Sequence, residues 1–250
     1  MDQASAFSFD MSYCGPPVLP AALWSRWNFD LTLLVALLVI AGLGFILTRQ
    51  AGPHRRLAFA TAWLAAAALY VSPLCALTVS LFSARVGHHV VLTMFVAPLL
   101  AISIPRQWAR RASLLPALAL STAALWLWHS PNLYTGAFLA PAIYWAMQLS
   151  LLGTFTLLWL ALIHADAPFH AGLAALLSAV QMGMLGALLV FAGDPLYLPH
   201  FATTQAFGLS PQDDQHLGGL IMWVPANLPL LALMLWRLGN VLGPDREAAS

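Results

Sequence analysis

The stretch LTLLVALLVIAGLGFILT, residues 31–48, runs eighteen positions without a charge and is followed by RQAGPHRR, residues 49–56. A helix crossing the bilayer core needs about 20 predominantly apolar residues, and arginines crowded just past its end mark the cytoplasmic side. The same alternation of long apolar run and short polar connection continues to the end of the chain. Further spans are expected near 57–82, 88–104, 114–129, 140–164, 172–193 and 215–237. The expected fold is therefore an all-α integral membrane protein, a bundle of seven transmembrane helices forming a single domain across residues 1–250.

Composition agrees. Of the 250 residues 61% are hydrophobic and 8% charged, where a soluble domain carries about a quarter charged residues. Eight of the ten arginines fall in 49–56, in PRQWARRAS (105–113) and in the tail from Arg237, leaving Arg26 and Arg85 for the other face. This places the N-terminus outside and the C-terminus in the cytoplasm. Residues 1–30 then form an outer tail, 194–214 an outer loop and 238–250 a cytoplasmic tail, with no cleavable signal peptide ahead of the first span. A net charge of +1 with no concentrated basic surface excludes nucleic acid as a partner. Cys14 in the tail and Cys75 within the second span differ in depth and are expected to be free thiols rather than a disulfide.

Chemistry gathers at the outer end. His88, His89, His129, His200 and His216 sit at the outer ends of spans or in the outer loop, and Asp213, Asp214 and Gln215 open the seventh span. Neutral imidazoles brought to one level by several helices suit a soft or borderline metal ion. His88 and His89 are 100° apart on a helix, so one of them faces inward. Gln215, Gly219 and Met222 form an i, i+4, i+7 stripe that adds a thioether. The candidate metal-holding set is His88, His89, His129, His200, His216, Asp214, Met222 and Cys14, with copper, as Cu(I) or Cu(II), the expected ion. His200 and His216 also fit the role of interfacial anchors. Gln148 and Gln181 read as interhelical hydrogen-bonding groups, and Met147, Met182 and Met184 as packing.

Four stretches carry a resemblance: FSARVGHHVVLTMFVAPLL (82–100), LWLWHSPNLY (125–134), QMGMLGALLVFAGDPLY (181–197) and GLSPQDDQHLGGLIMWVP (208–225). Together with YCGPP (13–17) and LWSRWNFD (23–30) they are similar to the polytopic CtaG-type cytochrome c oxidase assembly factors. The resemblance implies a bacterial inner-membrane protein that supplies copper during oxidase maturation. Its partners would be a haem–copper oxidase subunit and another copper chaperone. The chain departs from the family's pattern at Arg85, Tyr144 and Gln148, where histidines are common. His89, His129, Asp214, Gln215 and Met222 are the matched positions that remain.

Other classes fit less well. A retinal protein needs a lysine for its Schiff base and the chain has none. No serine stands in a nucleophile elbow, so an enzyme is not expected. A membrane cytochrome would use His89 and His129 as haem ligands. A copper transporter would continue its ligands through the bilayer, whereas the inner half offers little beyond Gln181, Met182 and Met184.

Overall fold

The computed structural model describes residues 12–109 and 112–242. The first part of the expected outer tail (1–11), Arg110 and Arg111 of the expected inner loop, and the end of the expected cytoplasmic tail (243–250) lie outside the described residues. Within them the chain is helical, with no strand. In order come α1 (Leu31–Thr48), α2 (Pro53–Val71), α3 (Leu74–Ser80), α4 (Phe82–Val91), a π-helical turn (Leu92–Val96), α5 (Ala97–Ser103), α6 (Arg106–Ala109), α7 (Leu114–Trp128), α8 (Pro131–Leu139), α9 (Pro141–His164), α10 (Pro168–Phe191), α11 (Pro211–Trp223) and α12 (Leu228–Leu242).

Five stretches are long and apolar enough to cross a membrane: Leu31–Thr48, Phe82–Ser103, Pro141–His164, Pro168–Phe191 and Pro211–Gly239. A sixth arises if α2 and α3, bent by 52°, count as one span. The remaining expected span, near 114–129, is the 15-residue α7. At 1.5 Å per residue it reaches about 22 Å, short of a bilayer core of about 30 Å. The chain is thus a multi-pass membrane protein by these helices.

Prolines set the breaks. Pro73 ends the second span as a straight helix, because a proline inside a helix removes a donor and clashes with the preceding turn. The carbonyls freed at the end of α2 are taken by Asn28: its backbone N–H donates to Val71 O (2.9 Å) and its side-chain amide to Tyr70 O (3.2 Å). Pro98 lies just after the π-helical turn, where the carbonyl of Thr93 accepts from the Trp159 indole N–H instead (2.9 Å). Pro225 separates α11 from α12 by a short 3₁₀ turn.

The bend at Pro73 corrects the reading of the cysteines. Cys75 lies in the first turn of α3 rather than deep inside a continuous span, and the described part of the tail folds down against the bundle. Val18 N–H donates to Ser80 Oγ (2.8 Å), and the Ser80 hydroxyl donates to Val18 O (3.1 Å). Cys14 and Cys75 then meet as a disulfide, with Cα atoms 5.4 Å apart and a sequence separation of 61. They are not free thiols, and a disulfide sulfur is not the thiolate that binds metal. Cys14 therefore leaves the candidate ligand set. Closing a loop of this length stabilises the fold by about 4 kcal/mol in the chain-entropy picture. Protein purified without reductant and then denatured is expected to take up no maleimide, and two equivalents after reduction. Labelling before reduction would contradict the pairing.

Two further contacts fix the bundle. A Cβ on Gly186 of α10 would lie 2.8 Å from the carbonyl of Gly219, and one on Gly219 would lie 2.8 Å from the carbonyl of Gly186, so α10 and α11 touch backbone to backbone. Arginines cap helix ends at the opposite side from the disulfide. Arg55 donates to Ser103 O (2.8 Å), Arg56 to Thr48 O (3.1 Å) and Arg237 to Leu162 O (2.6 Å). Each cation meets carbonyls that a helix C-terminus leaves without partners.

Candidate functional site

The site begins with α11. Ser210 and Asp213 form a reciprocal capping box, with Pro211 in the first turn, so the helix starts at the sequence PQDD. Asp214, one residue on, is fully buried and points away from the cap to α4. Its carboxylate accepts from Phe82 N–H (2.6 Å), from Ser83 N–H (3.1 Å) and from the Ser83 hydroxyl. The N-cap residue of α4, Leu81, has no side-chain acceptor of its own. Asp214 supplies from another helix what a Ser or Asp would normally supply locally, and its charge faces the positive end of α4. Gly218 permits the close approach, since a Cβ there would meet the Phe82 ring at 2.5 Å.

Gln215 acts as a second clamp. Its Oε1 accepts from Leu196 N–H (2.7 Å), and its Nε2 donates to Leu189 O (3.2 Å), tying the connection after α10 to α11.

With α4 thus placed, four side chains from four elements line one small cavity of about 20 Å³: His89 of α4, His129 at the end of α7, Met182 of α10 and Met222 of α11. All four are buried, with Val86, Leu125, Leu151 and Phe155 among the apolar wall. The volume exceeds the one-probe threshold of roughly 10–15 Å³, so the space admits a single small particle.

His129 Nδ1 lies 2.7 Å from Leu125 O. A carbonyl only accepts, so Nδ1 carries the proton and the neutral ring keeps its lone pair at Nε2. The carbonyl of His129 accepts from the Tyr197 hydroxyl (2.9 Å). On the other side, Gln148 Nε2 stands 3.3 Å from His89 Nε2 while Gln148 Oε1 accepts from the Tyr70 hydroxyl (3.2 Å). His129 is thus oriented as metal-holding histidines require, its second ring nitrogen donating to a carbonyl, whereas at His89 the Gln148 amide N–H donates to Nε2 and the ring is held in place as an acceptor.

The other candidates lie elsewhere. His88 is buried with its ring edge-on to Tyr70, centroids 5.2 Å apart, and does not line the cavity. His200 is buried against Phe82 and Phe138, and its Nε2 is 2.7 Å from the Tyr134 hydroxyl. Burial, followed by the charge of Arg85, pushes the His200 imidazole down to about 3, so it stays neutral. His216 is half-buried and paired with Gln212 at 2.8 Å. Among the described residues no three His, Cys, Asp or Glu side chains gather into a metal-holding group. What converges is two imidazoles and two thioethers.

Met182 is the member that sequence reading assigned to packing. A signal for it exists in the sequence. If Gly186 and Gly219 are the contact point of two antiparallel helices, the residue four before Gly186 and the one three after Gly219 stand at one level, and these are Met182 and Met222. Gln181, beside it, accepts from the Trp126 indole (3.0 Å) and bridges α10 to α7.

The chain matches a family model described as the cytochrome c oxidase caa3 assembly factor (Caa3_CtaG) over residues 39–242. No curated protein and no solved structure matches it.

Proposed function

Because the chain belongs to the cytochrome c oxidase caa3 assembly factor family, we propose that it carries copper as cargo in the cavity between His89, His129, Met182 and Met222 and releases it to an immature oxidase subunit, directly or through another copper chaperone. The observation that carries this reading is the convergence of two imidazoles, that of His129 oriented by its bond to Leu125 O, and two thioethers around a space for one particle. Imidazole and thioether together suit copper. A structural zinc site would call for thiolates or more imidazoles, and hard cations for oxygen ligands. The role is a holding one, without catalysis, in the bacterial inner membrane.

Handover is favoured over transport by what lies beyond the cavity. Toward the far ends of α9 and α10 the buried side chains are Leu158, Trp159, Leu160, Ala161 and Leu162 on one helix and Ala171, Ala174, Ala175, Ser178 and Ala179 on the other. A permeation path needs ligands along its length, and these offer almost none. The reading also takes α7 as a seventh crossing, with the N-terminus outside. The arginine bias supports that orientation, and so does the disulfide, which persists in an oxidising compartment.

Deleting the gene tests the role. The oxidase polypeptides are expected to be made and to contain haem, but to be short of copper and low in oxygen-reducing activity, while other copper enzymes and total cytoplasmic copper stay normal. An importer's loss would deplete every copper enzyme, and an exporter's loss would raise cytoplasmic copper. Normal copper occupancy in the oxidase after deletion would overturn the assignment.

A further inference from the structure

The cavity's donors are all neutral, and one helical turn before His89 stands Arg85, fully buried in the same helix. Its guanidinium lies 3.8 Å from the centre of the Phe138 ring, with Tyr134 at 5.3 Å and Tyr144 at 5.9 Å. None of its three nitrogens has a hydrogen-bonding partner among the described residues. Aromatic faces attract the cation without neutralising it. Residues four apart on a helix share a face, and the same spacing recurs on α9, where Tyr144 stands one turn before Gln148, the residue that holds His89. A fixed positive charge is therefore built in beside the metal-holding side chains.

The carboxylate of Asp214 does not cancel it. Asp214 is bonded at the start of α4, at Phe82 and Ser83, and makes no hydrogen bond to the Arg85 guanidinium, whose nitrogens have no partner among the described residues. The Asp214 charge is also already engaged by the positive end of α4.

We propose that Arg85 makes this site selective for a monovalent soft cation, Cu(I), by penalising the second charge of Cu(II). The proposal rests on the copper reading above and deepens it. A further unit charge within about 10 Å of a fixed cation, in surroundings of effective dielectric near 20, is disfavoured by a factor on the order of ten. The penalty falls on Cu(II) relative to Cu(I), because the four donors bring no negative charge to offset it. An ion held by neutral donors beside a cation is also held loosely enough to be passed on.

The reduction potential of the bound copper reads the ratio of the two affinities. In purified detergent-solubilised protein, Arg85→Gln is expected to lower that potential by about 60 mV, the one-electron equivalent of a tenfold gain in relative Cu(II) affinity. Arg85→Lys, which keeps the charge, is expected to leave it near the wild-type value. An unchanged potential in Arg85→Gln, or an equal fall in Arg85→Lys, would overturn the proposal. The wild-type protein provides a test that does not depend on a variant folding: it is expected to retain Ag(I), a redox-inert monovalent ion, and to bind Cu(II) at least tenfold more weakly. Cu(II) bound as tightly as Ag(I) would overturn the selectivity alone. Failure to bind Cu(I), Ag(I) or Cu(II) would overturn the copper reading itself, and the selectivity with it.

Discussion

Replacing Asp214 with alanine is expected to destabilise the protein by several kcal/mol. The substitution strands the Phe82 and Ser83 N–H groups and the Ser83 hydroxyl in the interior, and each buried donor left without an acceptor costs about 1–3 kcal/mol. It also removes the side-chain cap that Asp214 gives the helix carrying His89, whose own N-cap residue Leu81 supplies none. Asp214→Asn keeps one acceptor oxygen and gives up the charge, so its loss should be intermediate. Thermal unfolding in detergent measures both. Since Asp214 does not line the cavity, copper retention in Asp214→Asn is expected to persist for as long as the protein is folded. A fully stable Asp214→Ala protein that had lost its copper would instead make the carboxylate a ligand.

The second large effect falls on the cargo. His89→Ala and His129→Ala are each expected to lower copper affinity at least a hundredfold, because even residues that only orient a ligand typically cost 10–100-fold when removed. Met182→Leu and Met222→Leu change little in volume, so a fall in affinity there reports the thioether itself. His54→Ala, His170→Ala and His216→Ala should retain copper, since none of these residues lines the cavity. Competition of purified variants against a chromophoric Cu(I) chelator gives the affinities. Equal losses across both groups would remove the site.

The membrane class was legible because a long uncharged run followed by arginines has few other readings. That His89, His129 and Met222 stand at one level was legible as well, from span ends and helical periodicity, and they line one cavity. What the sequence hid were consequences of broken geometry. Treating 57–82 as one helix put Cys75 at a depth Cys14 could not reach; the bend at Pro73 and the descent of the tail bring them together. Asp214 looked like a ligand because it opens the seventh span at the level of the histidines and matches the family pattern, yet its partners are two backbone donors and the Ser83 hydroxyl of a helix 131 or 132 residues away in sequence. Backbone groups leave no trace in side-chain patterns. The expected gathering of histidines at the outer face became instead a buried cavity, because α4 begins at Phe82 and carries His89 two turns into its span. Met182 could be placed only by setting α10 against α11 through their glycines.

X-ray absorption at the copper K-edge of protein loaded with Cu(I) tests the central claim most directly. Two imidazole nitrogens and two thioether sulfurs are expected around the ion, with the imidazole signal diminished in His129→Ala and the sulfur signal in Met182→Leu. A spectrum with oxygen and nitrogen neighbours only, or one unchanged by both substitutions, would contradict it.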